Sequence, residues 1–285
     1  MQSNYTPRDS YVQVTDRIIE LLEKGTIPWH KPWNSDVGRP RSLATLKPYH
    51  GINLLILGSV DYQSPFWVTF NEAKRRGGFV KKGQSALWVV FWKWIEVQDE
   101  KEANGIKLIP LLKSTPVFNT DQTTLQDIPK VERAQRDIPT AESIIANMQN
   151  PPQIFWGGVR ACYQPGNDAI HLPVRAAFDS DEEYYSTLFH EMTHATGHEK
   201  RLDRDRVALI DDSAKDRYSK EELIAEMGSA FLMVECGIEN TLPLSAGYIS
   251  GWLRVLKNDK RIIVYAAANA QRAVDYILGK EKEGE

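Results

Sequence analysis

Apolar residues recur along this chain with two different periods, and the changes of period mark its elements. Between Asp9 and Lys24, Val12, Ile18, Ile19 and Leu22 fall on one helical face, and Gly25 supplies a stop. Proline then breaks the pattern. Ile27-Pro28-Trp29-His30-Lys31-Pro32-Trp33 predicts a rigid extended stretch whose two indoles either seal a small core or face outward. Phe66 to Phe70 reads as a short strand and Asn71 to Gly78 as a short helix ending in glycines. Phe79-Val80-Lys81-Lys82-Gly83 turns into a strand over Leu87 to Val97. From Asn119 to Thr140 the periodicity fades, and with Pro129, Pro139 and mixed charge the stretch predicts a linker or an irregular extension.

Helical spacing dominates the second half. A short helix is expected over Pro139 to Met148, then strands over Gln153 to Trp156 and Ala169 to Leu172. Ser180-Asp181-Glu182-Glu183 has the form of a capping box with an acidic first turn; Tyr184, Leu188, Met192 and Ala195 continue at helical spacing, and Gly197 is the stop. In a second helix Leu223, Met227, Ala230, Phe231 and Val234 form the apolar stripe. Ser219 and Glu222 stand at capping-box spacing at its start, which gives Glu222 a structural task. Two more helices, Ala246 to Lys257 and Asp259 to Leu278, follow, and the stripe Ala266, Ala267, Ala270, Ala273 suits close packing. The fold class is α+β in two domains. A small basic α+β domain is expected over residues 1–125, a linker over 126–140, and a mostly helical domain with a small sheet over 141–285.

The chemistry concentrates in His190-Glu191-Met192-Thr193-His194. Residues four apart on a helix share a face, so both imidazoles can reach one divalent metal ion, zinc first, with manganese, cobalt and nickel also compatible with such a donor set. Glu191 can then act as general base on a metal-bound water. A third ligand is needed. Glu226 lies on the apolar side of the following helix, where a carboxylate requires a partner; the rival is His198, which continues the first helical face only if the helix passes Gly197. Tyr218, His171 and Tyr248 are candidate second donors to an oxyanion or packing residues, and Ile170-His171-Leu172 is expected to line the cleft as a strand edge.

Charge separates the halves. Residues 1 to 95 hold 13 Lys and Arg against 7 Asp and Glu, leaving 22 against 31 for the rest, so a net charge of −3 hides one basic and one acidic region. Six of the 8 Trp lie in the basic part. Cations that track phosphates and aromatic faces that stack on bases are what single-stranded DNA requires, with duplex DNA bound more weakly. The candidate DNA-binding residues are Trp29, Trp33 and Trp67 with Lys74, Arg75, Arg76, Lys81 and Lys82. Only 2 Cys are present, without metal-ligand spacing, and no stretch reads as a signal or membrane span, so a cytoplasmic setting is expected.

These segments together resemble the ArdC-type antirestriction proteins of conjugative plasmids over nearly the whole chain. The resemblance rests on Ile27 to Trp33, Tyr49-His50-Gly51-Ile52-Asn53, Gly77 to Gly83, Leu188 to His198 with Arg201-Leu202, and Glu221 to Glu226. It implies a single-stranded DNA-binding domain followed by a zincin-like metallopeptidase domain, acting to protect incoming plasmid DNA from host restriction during conjugation. Three readings then compete: a DNA-directed metallopeptidase with an unidentified protein substrate, a DNA-binding shield with a silent peptidase fold, and a DNA-independent metallopeptidase acting on a restriction enzyme.

Overall fold

The computed structural model describes residues 9–29, 38–98, 106–129, 140–204, 214–238 and 246–280. Trp33, the side chain of Tyr248 and most of the expected linker lie outside the described residues. Helix α1 (Ser10–Glu23) is capped by Asp9, whose carboxylate accepts the Tyr11 N–H at 2.8 Å. Its buried face carries Val14, Ile18, Ile19, Leu21 and Leu22, and Gly25 leaves the helix at φ +75°. There follow β1 (Arg41–Ser42), α2 (Gly51–Gly58), β2 (Phe66–Val68), α3 (Phe70–Arg75), β3 (Leu87–Gln98) and β4 (Ile106–Asn119). The sheet order is β1-β2-β4-β3, and β3 and β4 pair antiparallel in one register from Leu87↔Val117 to Gln98↔Ile106.

Three of these elements, the two-residue β1, α2 and β4, have no counterpart in the periodicity. Helix α2 is buried at seven of its eight positions, so no amphipathic stripe marks it. Strand β4 carries Pro110 and Pro116, which ordinarily argue against a strand; they are tolerated because only Phe118 and Asn119 pair with β2 on its other side. The start of the expected linker is also structured. Asn119 caps a 3-10 turn over Thr120–Gln122 in a full capping box, and Asn119 and Gln122 are buried.

The second half contains α4 (Ala141–Asn147), β5 (Gln153–Trp156), β6 (Cys162–Gln164), β7 (Ala169–Leu172), α5 (Asp181–Ala195), α6 (Ala214–Glu235), α7 (Ala246–Asn258) and α8 (Ile262–Ile277). Its sheet has the order β5-β7-β6. Strand β7 is therefore central, and the expectation that Ile170-His171-Leu172 offers a free edge is corrected: its backbone is paired on both sides, and β6 is the edge next to α5.

The fold is α+β in two domains, joined by a common core. One apolar cluster runs from Val14 in α1 to Ile277 in α8. Trp29 meets Trp252 edge-on at 5.2 Å, Thr15 Oγ1 donates to the Lys260 carbonyl at 2.5 Å, and Lys260 pairs with Asp16 at 3.1 Å. The alanine stripe of α8 is fully buried, as its spacing predicts. No helix among the described residues is long and apolar enough to cross a membrane.

Candidate metal centre

Helix α5 starts where the sequence places it. Ser180 Oγ accepts the Glu183 N–H at 3.1 Å, and Asp181, Glu182 and Glu183 fill the positive end of the helix. The helix crosses α6 at very short range. A Cβ on Gly228 would stand 2.5 Å from Thr193 Cγ2, and Ser229 Oγ donates to the Ser186 carbonyl at 2.7 Å. Small residues at this crossing bring the acidic face of α6 against the imidazoles of α5.

His190 Nε2 and His194 Nε2 lie 3.1 Å apart, and Glu222 stands 3.5 Å from each, with Oε2 toward His190 and Oε1 toward His194. A metal with bonds of 2.0–2.1 Å in tetrahedral geometry separates its ligands by about 3.3 Å, so this donor set fits a divalent ion. Among the described residues His190, His194 and Glu222 form the group that could hold one. Glu222 thus stands at the third corner where Glu226 was expected. The reason lies in the helix: α6 begins at Ala214, so Ser219 is interior, and Glu222 is not held at a capping position. Glu226, one turn on, faces the other edge of the first ring, with Oε1 3.6 Å from His190 Nδ1. Glu221 does the same for the second ring, 3.3 Å from His194 Nδ1, and is itself bound by the buried Arg204 at 2.6 Å. Carboxylates facing both Nδ1 atoms would leave the Nε2 lone pairs available to a metal that displaced the proton at the shared point.

The electrostatics match this arrangement. Burial pushes the His194 imidazole down, but hydrogen bonds to Glu221 and Glu222 override it and raise the group to about 10. Glu222 is held well below the carboxylate range; burial opposes the shift, and His190 and His194 outweigh it. For Glu221 burial is likewise overcome, by His194 and Arg204. Three carboxylates around two rings make a site that favours a cation.

His198, the rival ligand, is not part of the group. The helix ends at Ala195 with Thr196 as its cap, and His198 Nδ1 accepts the Lys200 N–H at 3.2 Å. Glu191 is buried beside the rings, and its Oε2 accepts the Tyr163 N–H of β6 at 2.7 Å. Tyr163 is fixed in turn, with its hydroxyl donating to Asp168 Oδ1 at 3.0 Å and that oxygen taking two bonds from Arg201 at 2.7 and 2.9 Å. Of the candidate second donors, Tyr218 is exposed, and His171 stacks on Phe155 at 5.3 Å with Nε2 buried.

The residues expected to meet DNA divide. Trp29 and Trp67 are 1% and 2% exposed, their rings packed on Trp252 and Tyr62, which corrects the expectation that they stack on bases. Core packing claims the largest side chains first. Lys74, Arg75, Arg76, Lys81 and Lys82 are all at the surface, and Arg76 Nη2 also donates to the Leu43 carbonyl at 3.2 Å. Glu72 binds Arg75 and Arg76, offsetting part of the cluster's charge, and Lys81 Nζ donates to the Asp121 carbonyl at 2.9 Å. Phe70 and Phe79 are exposed beside this turn; a ring at a strand end and one in a turn carry no sign of their exposure in the sequence.

Comparison with known proteins covers both halves. Residues 8–141 match the N-terminal domain of anti-restriction factor ArdC, and residues 139–269 match a zincin-like metallopeptidase. Two DNA primases TraC of Escherichia coli are 36% and 32% identical over 95% and 98% of this chain, which spans only 27% and 20% of their lengths. The uncharacterized protein y4eC of Sinorhizobium fredii is 31% identical over 98% of this chain and 95% of its own. Crystal structures of the antirestriction ArdC protein from plasmid R388 align with a TM-score of 0.76. The metal-free form is 37% identical, covering 96% of this chain and 98% of that one; the Mn(II)-bound form is 36% identical, covering 98% and 100%. With both halves matched in sequence and the whole chain matched in structure, the protein belongs to the ArdC family of antirestriction proteins.

Proposed function

We propose that this chain is an antirestriction protein that binds single-stranded DNA through its N-terminal half and cleaves protein at a divalent metal held by His190, His194 and Glu222. The observation that supports the catalytic part most directly is the 3.1 to 3.5 Å triangle of Nε2 and carboxylate oxygens, with Glu191 beside it. A divalent ion, zinc first and manganese next, would supply water acidified to near neutral pH and an electrophile for the carbonyl oxygen. The chain does the rest. Glu191 takes the proton on the oxygen opposite Oε2, which the Tyr163 N–H keeps in place. Glu226 and Glu221 hold the imidazoles in the tautomer that leaves Nε2 unprotonated. The outer edge of β6, next to Glu191, is where an extended polypeptide would lie.

DNA binding is supported by the basic N-terminal half and the exposed Lys74, Arg75, Lys81 and Lys82, whose occupant would be the phosphate chain of a single strand, with duplex DNA weaker. The protein would work in the cytoplasm on DNA entering by conjugation, its protein substrate a component of host restriction.

The test is a Glu191→Gln variant compared with wild type for DNA affinity, proteolysis and plasmid survival in a restricting host. Loss of proteolysis and survival at unchanged DNA affinity is the expected result. Full survival with E191Q would replace this reading with a shield, and DNA affinity indifferent to salt would remove the nucleic-acid part.

A further inference from the structure

The β3–β4 hairpin carries a second feature that the metal centre and the cationic turn leave unused. Beyond Val90 it projects from the body: Phe91, Trp92, Trp94 and Leu111 are 47%, 49%, 50% and 41% exposed, while Val89, Val90 and Leu112 beside them are buried. The sheet order places β3 at an edge. Asn53 covers that edge at one point, donating to the Val90 carbonyl at 2.7 Å and accepting its N–H at 2.8 Å. By the alternation of an antiparallel pair, the backbone N–H groups of Trp92 and Trp94 point the same outward way.

Along this edge the side chains alternate, Trp92 and Trp94 to one side and Phe91 and Lys93 to the other. The two indoles are spaced about 6.8 Å along the strand, twice a base step of about 3.4 Å. Lys93 stands between them in the chain, and Lys113 is paired with Phe91 across the hairpin; both lysines are exposed. Glu96 ends the run on the tryptophan side. At the other end Tyr11 packs edge-on against Trp92 at 6.4 Å, with the Arg261 guanidinium 5.7 Å from the Tyr11 ring centroid.

We infer that this edge is a binding site for single-stranded DNA, with bases against Trp92 and Trp94 on one face and the phosphate chain passing over the edge toward Lys93 and Lys113 on the other. A polypeptide strand could use the same backbone groups, but it has no need of rings on one face of the edge and cations on the other, which a chain of bases and phosphates does. The inference rests on the DNA-binding reading above and adds a location to it. Lys113 and Asn119 are six residues apart on β4, so the site lies about 20 Å along that strand from the cationic turn.

Anisotropy of a fluorescein-labelled oligothymidylate with the full chain tests it. Trp92→Ala/Trp94→Ala and Lys93→Glu should each weaken binding fivefold or more, the low end for losing a base–aromatic stack, and Trp92→Phe/Trp94→Phe should retain most of the affinity. Because the affected side chains are half in solvent, far-UV circular dichroism and Tm should stay at wild-type values. Wild-type binding that survives W92A/W94A and K93E overturns the site while leaving the DNA reading in place. No binding by the wild-type chain overturns both.

Discussion

Exchanging Glu222 and Glu226 one at a time separates the proposed metal ligand from the residue proposed to support one. Glu222 stands 3.5 Å from both Nε2 atoms, whereas Glu226 reaches only Nδ1 of His190, at 3.6 Å. A carboxylate behind a ligating imidazole is worth about 10–100-fold in metal affinity, roughly 1.4–2.8 kcal/mol. Glu226→Gln keeps a carbonyl oxygen for the Nδ1 proton and belongs at the low end of that range; Glu226→Leu leaves the proton unpartnered and belongs at the high end. Glu222→Gln removes one of three protein ligands and should exceed about 100-fold. Competition against a chromophoric chelator with Zn²⁺ and with Mn²⁺ measures all three, with near-UV circular dichroism as the control for folding. The reverse order, with E226Q abolishing binding and E222Q costing tenfold or less, would refute the geometry and restore Glu226 as the third ligand.

Further outcomes follow from the packing and the ion pairs. Gly228→Ala puts a methyl 2.5 Å from Thr193 Cγ2 and should lower stability in urea by about 1–3 kcal/mol, with Thr193→Ala in the same chain recovering much of the loss. Trp29→Ala should cost about 3–5 kcal/mol by emptying the contact with Trp252, while the protein that stays folded binds DNA as wild type. Glu235 is held below its ordinary value: burial opposes the shift, and Arg39 at 2.7 Å with Lys280 at 3.4 Å outweighs it. A depressed carboxylate stabilises the fold above its unfolded value near 4.5 and loses that contribution as pH falls through the folded one. The Tm advantage of wild type over Glu235→Gln should therefore shrink toward zero in acid.

What could be read from the residues follows from how local each signal is. Helix α5 declares itself in one segment, by its cap, its acidic first turn and the His190/His194 spacing. Assigning the third ligand was harder because it depends on where α6 begins. The Ser219/Glu222 pair imitates a helix start, and only the real start at Ala214 shows that Glu222 is interior. Helix α2 lacks a polar face to betray its period, and β4 hides behind two prolines that matter only if both of its sides are paired. The tryptophans failed as a DNA signal for a related reason. Composition counts rings but not their exposure, and the same residue type seals the core at Trp29 and Trp67 while projecting from β3 at Trp92 and Trp94.

The common core bears on how the two halves work together. Helix α8 packs its alanine face into the body and touches both α2 of the N-terminal half and α6, the helix that carries Glu222 and Glu226. Trp29 on Trp252 and Thr15 on Lys260 add a second junction between α1 and the segment around α7. An ordinary interface between independent domains is small and polar, and permits relative motion. Here large apolar side chains from both halves are removed from water together, so separating the halves would expose faces of α2 and α8 that have no other cover. A chain cut between residues 129 and 140 should therefore yield pieces that aggregate singly and recover solubility when co-expressed. Two pieces that fold and stay monomeric apart would show that the shared cluster is incidental. If the pieces do depend on each other, the half proposed to bind DNA belongs to the same rigid body that positions the imidazoles. Under the proposed function, a protein on that DNA would meet the metal centre at a distance fixed by packing rather than by the reach of a linker.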